Sequence, residues 1–322
     1  MTESQAWVVT KIGHPPEIRK IDLKPLASDD VLVRVTATGL NFADLLMIEG
    51  KYQETAPTPF VPGMEIAGHV EDLGSGANRF AVGERVMCVP GNGGLASHVV
   101  VKADKLRRVP GSMDDPTAAG FQIAYGTSHL SLTRRANIKA GETLVVLGAA
   151  GGVGLTAVEI GHQLGARVAA VARGKDKLAI AREAGAEVLI DGDTEDLLFE
   201  LKELGPIDVI YDAVGGTAGD AALRALAPEG RYLIIGFASG SMPSLRPNHL
   251  LVKNQTIIGF YWGGYDKFCR GAMNDSLAEL GRWYEKGRIR PHISHVLPFE
   301  RAMEGLDLLR TRQATGKVVI AW

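Results

Sequence analysis

The sequence predicts an α/β chain of two domains, a β-rich barrel-type domain and a doubly wound parallel sheet. Three observations carry that prediction. Short strand-like runs without long helices fill the first third, and a regular strand–helix alternation begins after Ala140-Gly141. A glycine-rich turn joins the first strand of that alternation to its first helix. The 322 residues suit two cores better than one.

In the first third, Val31-Leu-Val-Arg-Val-Thr36 alternates apolar and polar side chains, as a half-buried strand does. Further strands are expected at 7–10, 66–73, 85–89, 96–101 and 106–109, separated by Gly, Pro, Asn and Asp clusters such as Pro90-Gly-Asn-Gly-Gly94. Close spacing of short strands points to an antiparallel, barrel-like domain. A helix is expected over 116–131. Short apolar runs then follow at 143–147, 167–172, 187–190, 207–212 and 231–236. Helical segments at 153–164, 175–184, 195–204 and 217–226 separate them. Apolar strands alternating with helices specify a parallel sheet covered on both faces. After Phe260 the alternation stops. Helices at 274–286 and 299–309 and a last strand at 317–321 are expected to fold back onto the first domain.

Composition narrows the function classes. The 35 basic and 37 acidic side chains give a net charge of −2, with no electrostatic case for nucleic acid or an anionic membrane. Cys88 and Cys269 are the two cysteines, too few for a disulfide scaffold or a four-thiolate zinc lobe. The amino terminus is polar and no apolar run reaches the length of a membrane span, so a cytoplasmic protein is expected. Glycine is in excess, 39 of 322, which implies tight turns or backbone brought close to a ligand.

The sharpest motif is Thr143-Leu-Val-Val-Leu-Gly148-Ala-Ala-Gly151-Gly152-Val-Gly154. Placed between a strand and a helix, it matches a dinucleotide-binding turn of the Rossmann type, with Ala149 where the first glycine of G-x-G-x-x-G stands. Ala150, Gly151, Gly152 and Val153 are expected to offer backbone N–H groups to a pyrophosphate, and Gly154 to let the helix pack on the strand. The second strand ends in Val171-Ala-Arg173-Gly-Lys175-Asp-Lys177, without the carboxylate that would hold the ribose hydroxyls of NAD. Arg173, seconded by Lys177, is expected to bind a 2′-phosphate. The expected cofactor is therefore NADPH, with Asp176 as the competing ribose ligand.

Further motifs lie along nearly the whole chain: Gly39-Leu-Asn41-Phe-Ala-Asp44, Gly50-Lys-Tyr52, Pro62-Gly-Met-Glu65-Ile-Ala-Gly68, Phe80-Ala-Val-Gly83-Glu-Arg-Val86, Gly94-Leu-Ala96-Ser and Gly316-Lys-Val-Val-Ile320. With them the chain resembles the medium-chain dehydrogenase/reductase superfamily, in its zinc-free quinone oxidoreductase (ζ-crystallin-like) branch. The resemblance implies a GroES-like catalytic domain over 1–122 and 266–322 and a Rossmann NADPH-binding domain over 123–265. It also implies a cleft between them that takes nicotinamide and acceptor. Zinc members need Cys and His ligands where this chain has Asn41 and Met64-Glu65, so no metal is expected, and His69 is taken as a strand-face residue.

The resemblance further implies that Asn41 and Asp44 line the nicotinamide and substrate end, that Tyr52 hydrogen-bonds the acceptor oxygen, and that Thr127 lies near the nicotinamide. Arg312 and Lys317 match residues that reach the cofactor's phosphates. The strand at 256–259, followed by Phe260-Tyr-Trp-Gly-Gly264, matches an edge that pairs across a two-fold axis, giving a homodimer. The activity implied is hydride transfer from NADPH to quinones or related conjugated carbonyls. An enoyl-thioester or alkenal reductase shares cofactor, fold and Tyr52. An NADPH-binding protein without turnover, of the crystallin or RNA-binding kind, is the reading of a different class.

Overall fold

The computed structural model describes residues 3–54 and 56–322. Its strands in chain order are β1 (Glu3–Val8), β2 (Glu17–Asp22), β3 (Asp30–Leu40), β4 (Glu65–Leu73), β5 (Arg85–Cys88), β6 (His98–Lys102), β7 (Arg107–Arg108), β8 (Thr143–Leu147), β9 (Arg167–Ala172), β10 (Val188–Asp191), β11 (Val209–Asp212), β12 (Arg231–Ile234), β13 (Thr256–Gly259), β14 (Ile293–Pro298) and β15 (Lys317–Ala321). The chain divides into two compact units, 1–123 with 292–322, and 124–291.

The first unit is organised by β3. This strand pairs antiparallel with β4 along its length, while its other edge is shared: Asp30–Arg34 pair with β6 and Ala37–Leu40 pair with β15. A register shift between Val35 and Ala37 falls where one neighbour gives way to the other. Bulges of this kind sharpen twist and bend a sheet, which lets one strand serve two partners as in a barrel-type fold. Val31, Val33 and Val35 enter one apolar cluster with Ile66, Val86 and Val99. Leu40 enters another with Leu45, Phe299, Val318 and Ile320. The GroES-like fold read from the sequence is the fold observed, with β2 and a helix at Phe42–Ile48 added.

The second unit holds a six-stranded parallel sheet in the order β10-β9-β8-β11-β12-β13. The chain winds outward in both directions from the β8/β11 boundary, the switch point where doubly wound sheets bind ligands. Every residue of β8 is buried, as a strand covered on both faces requires. This is the Rossmann-type domain expected.

Two differences from the sequence expectation have local causes. The helix expected over 116–131 is broken. A short helix, Asp115–Ala119, opens on Asp114, whose side chain accepts from the Thr117 N–H, and closes at Gly120; a second helix runs Gln122–Leu130. The return to the first unit comes at residue 292 and not at 266. Helix Arg270–Glu285 belongs to the second unit because Ser276 Oγ hydrogen-bonds the buried His129 Nδ1 at 2.8 Å and Trp283 packs edge-on against that imidazole. The Arg290 N–H also donates to Glu159 Oε1 at 2.6 Å. A helix's amphipathic period reveals that one face is buried, but not which domain buries it.

A fragment of residues 124–291 is expected to express solubly and melt cooperatively. A 124–265 fragment, deprived of Leu277, Leu280 and Trp283, is expected to aggregate. Circular dichroism melting of the two fragments checks this assignment.

Candidate functional site

The second unit builds a candidate anion cradle at the end of β8. Gly148 turns the chain at φ +73°, and helix Gly152–Gln163 starts from Gly151 with no side-chain cap. The first N–H groups of a helix have no intrahelical acceptor, so the backbone here is left to serve an anion. Gly154 seats the helix: a Cβ at that position would lie 2.0 Å from the Gly148 carbonyl oxygen. The turn expected at Ala150, Gly151, Gly152 and Val153 is present, and the tight bend belongs to Gly148, one place before the motif's usual first glycine. Ala150 is buried, while Gly151, Gly152 and Val153 are partly exposed. This donor-rich turn fits a dinucleotide pyrophosphate.

Arg173 follows β9 and is exposed. Its guanidinium pairs with Asp193 Oδ1 at 3.1 Å, an acid on the loop after β10 that the sequence reading did not consider. Lys177 is half-buried in helix Lys175–Glu183, with Asp176 exposed beside it. Thr127 is buried in helix Gln122–Leu130. The adjacent Ser128 hydroxyl donates to the Val153 carbonyl at 2.9 Å and contacts Thr156 and Tyr211, which ties that helix to the cradle.

In the first unit the expected residues have different surroundings. Tyr52 is half-buried, with its ring against the cluster that holds Val9, Leu40 and Met47. Arg312 is exposed, in a left-handed turn at φ +57°. Asn41 is half-buried and caps helix Phe42–Ile48. Two expectations are corrected. Asp44 does not line a ligand surface. It is fully buried, accepting from the Asn41 N–H at 2.8 Å and from the Gly63 N–H at 3.0 Å, so it clamps the loop that carries Asn41. Burial lifts its carboxyl to about 6, against the pull of those two N–H donors.

Lys317 is likewise not free to reach a phosphate. Its buried ammonium donates to Leu40 O at 2.8 Å, Asn41 Oδ1 at 2.9 Å and Glu65 Oε1 at 2.7 Å, which uses all three hydrogens. The cause is register: β15 lies beside β3, and Lys317 begins it opposite the end of β3. Glu65, absent from the expected site, also accepts from the Asn41 Nδ2 at 3.0 Å and from the Ile123 N–H at 3.1 Å. Its position in the Pro62-Gly-Met-Glu65 motif was the available signal. Removing one partner of such a buried pair costs about 3–5 kcal/mol.

A zinc ion at the family position does not fit this donor set. Asn41 and Glu65 both direct oxygen to the Lys317 ammonium, so a metal there would face a fixed positive charge. Among the described residues no group of three or more His, Cys, Asp or Glu is arranged to hold a metal, and His69 contacts Arg34 at 3.3 Å. Among the described residues, too, no helix is long and apolar enough to cross a membrane.

Asp44 gives a pH-dependent stability with a defined sign. Its folded value lies above that of the unfolded chain, so the folded state holds the proton longer. Its contribution is fullest below about pH 4 and is lost as pH rises to about 6. Compared with Asp44→Asn, which cannot titrate, the wild type should lose up to about 3 kcal/mol of relative stability across that window. Denaturant melts of both proteins from about pH 4 to about pH 7 check this; a constant difference refutes it.

Comparison with known proteins agrees with these folds. An alcohol dehydrogenase GroES-like domain model matches residues 27–111, and a zinc-binding dehydrogenase model matches residues 152–278. A quinone oxidoreductase-like protein 2 homolog of Nematostella vectensis is 36% identical, covering 98% of this chain and 88% of its own length. Quinone oxidoreductase-like protein 2 of Bos taurus is 33% identical, covering 98% and 92%. The quinone oxidoreductase of Thermus thermophilus, whose crystal structures include its complex with NADPH, is 32% identical with a TM-score of 0.86, over 99% of this chain and 100% of that one. On fold, motifs and relatives together, the chain belongs to the medium-chain dehydrogenase/reductase superfamily, among its quinone oxidoreductase-like members.

Proposed function

We propose that the protein is an NADPH-dependent oxidoreductase that reduces quinones or related conjugated carbonyls by hydride transfer without a metal. The observation that carries the reading is the uncapped helix start at Gly151, behind the Gly148 turn and at the switch point of the sheet. The NADPH complex of the Thermus thermophilus quinone oxidoreductase supports the choice of cofactor. Bound NADPH supplies the hydride. The first-turn N–H groups of the helix bind pyrophosphate, and Arg173 binds the 2′-phosphate in exchange for Asp193. Tyr52 is the proposed hydrogen-bond donor to the acceptor oxygen, stabilising charge as it develops there. Asn41 is proposed to face the nicotinamide end of the cofactor, Thr127 the nicotinamide, and Arg312 the phosphates.

Because the Arg173–Asp193 pair is exposed, exchanging it for a phosphate costs little. Arg173→Ala is expected to raise the KM for NADPH by roughly 10–100-fold, the worth of one charge-assisted hydrogen bond, and to leave the KM for NADH unchanged. Initial rates with both coenzymes, using 9,10-phenanthrenequinone, 1,4-benzoquinone and crotonyl-CoA as acceptors, check the whole reading. Equal rates with NADH and NADPH overturn the coenzyme preference. Dominant crotonyl-CoA turnover identifies an enoyl-thioester reductase, and tight NADPH binding with no acceptor reduced identifies a binding protein.

We further propose a homodimer through the β13 edge. β13 is the last strand of its sheet, and the preceding helix Pro247–Lys253 buries none of its residues, leaving Leu251 78% and Val252 80% exposed. An open strand edge beside exposed aliphatic side chains suits a second copy of the same edge. Light scattering should give twice the chain mass for the wild type and a monomer for Leu251→Asp/Val252→Asp; an unchanged mass for that variant removes this interface.

A further inference from the structure

Asn41 is held more tightly than a half-exposed loop residue requires. Its backbone N–H is fixed by Asp44 Oδ2 at 2.8 Å. Its amide nitrogen donates to the Gly39 carbonyl at 3.3 Å and to Glu65 Oε1 at 3.0 Å, and its amide oxygen accepts from the Lys317 ammonium at 2.9 Å. Flipping the amide would set NH2 against the ammonium and oxygen against the carboxylate, so the charges permit a single orientation.

The surrounding chain is shaped to admit this arrangement. A Cβ on Gly120 would lie 3.3 Å from Cβ, Cγ and Cε of Lys317, and one on Gly39 would lie 3.1 Å from Cγ of Glu65. Leu40 O, Asn41 Oδ1 and Glu65 Oε1 converge on one nitrogen, a hard-oxygen cage with the ammonium as its cation.

We propose that Lys317 is a built-in cation, with Glu65 its counter-charge, and that the pair are positioning residues which lock the Asn41 carboxamide in one orientation at the nicotinamide end. Asn41 is partly exposed. The catalytic part of this inference rests on the reductase reading above; the orientation of Asn41 does not.

The experiment replaces the cation and then returns it. Lys317→Ala should lower kcat by roughly 10–100-fold while the KM for NADPH stays within about twofold. Methylammonium to propylammonium should restore turnover at least severalfold. In the 1H–15N spectrum the Asn41 side-chain amide pair should shift in Lys317→Ala and return with the alkylammonium ion. A rise in the KM for NADPH with kcat preserved would instead make Lys317 a cofactor ligand and overturn the proposal. An unmoved Asn41 amide signal, or an amine that binds without restoring turnover, overturns it too.

If Lys317→Ala does not fold, Lys317→Met/Glu65→Gln removes both members of the buried pair together and serves in its place. It should fold with the Asn41 amide shifted and kcat low, and wild-type kcat in it refutes the role. If the wild type reduces no acceptor, the reductase reading fails alone. The Asn41 amide signal, with its response to alkylammonium, then decides the positioning role.

Discussion

The buried ion pair between Lys317 and Glu65 is the interaction on which the first unit depends. It joins the first residue of β15 to the first residue of β4, and through Leu40 and Asn41 it fastens the end of β3 to both. Chain segments far apart in sequence thereby close one sheet. A charge pair with almost no exposure tolerates little displacement, because each ion without the other would sit in a medium that solvates it poorly. The helix start at Asn41 is fastened in turn to Gly63 through Asp44, whose two oxygens accept from both backbone N–H groups.

The second unit solves a different problem, the approach of backbone to an anion. Its strands run parallel, and the strand order reverses at the β8/β11 boundary, where doubly wound sheets bind ligands. Gly148 and Gly154 lack the side chains that would hold helix and turn apart, so the turn presents N–H dipoles and no charged residue. The charge that follows directly on β9 is Arg173, already matched by Asp193. That pair is exposed, so its partners can exchange without disturbing the fold.

Local pattern determined much of this protein. Strands β8, β9 and β15 fall at the residues where apolar runs put them, and the dinucleotide turn is legible because Gly, Val and Ala occupy fixed offsets between a strand and a helix. Such features depend on neighbours a few residues away, and periodicity records them. The roles of Asp44 and Lys317 were not legible. Both are charged residues in motifs that resemble ligand-binding ones, and only burial and register show that Asp44 serves two backbone N–H groups and Lys317 serves Glu65. The allegiance of helix Arg270–Glu285 was likewise settled by His129, which lies 147 residues before its partner Ser276. Sequence by itself determined the two folds and the cofactor turn, because those follow from short-range geometry. Tertiary structure alone decided which charges face a ligand and which face each other, because that is set by residues brought together from distant parts of the chain.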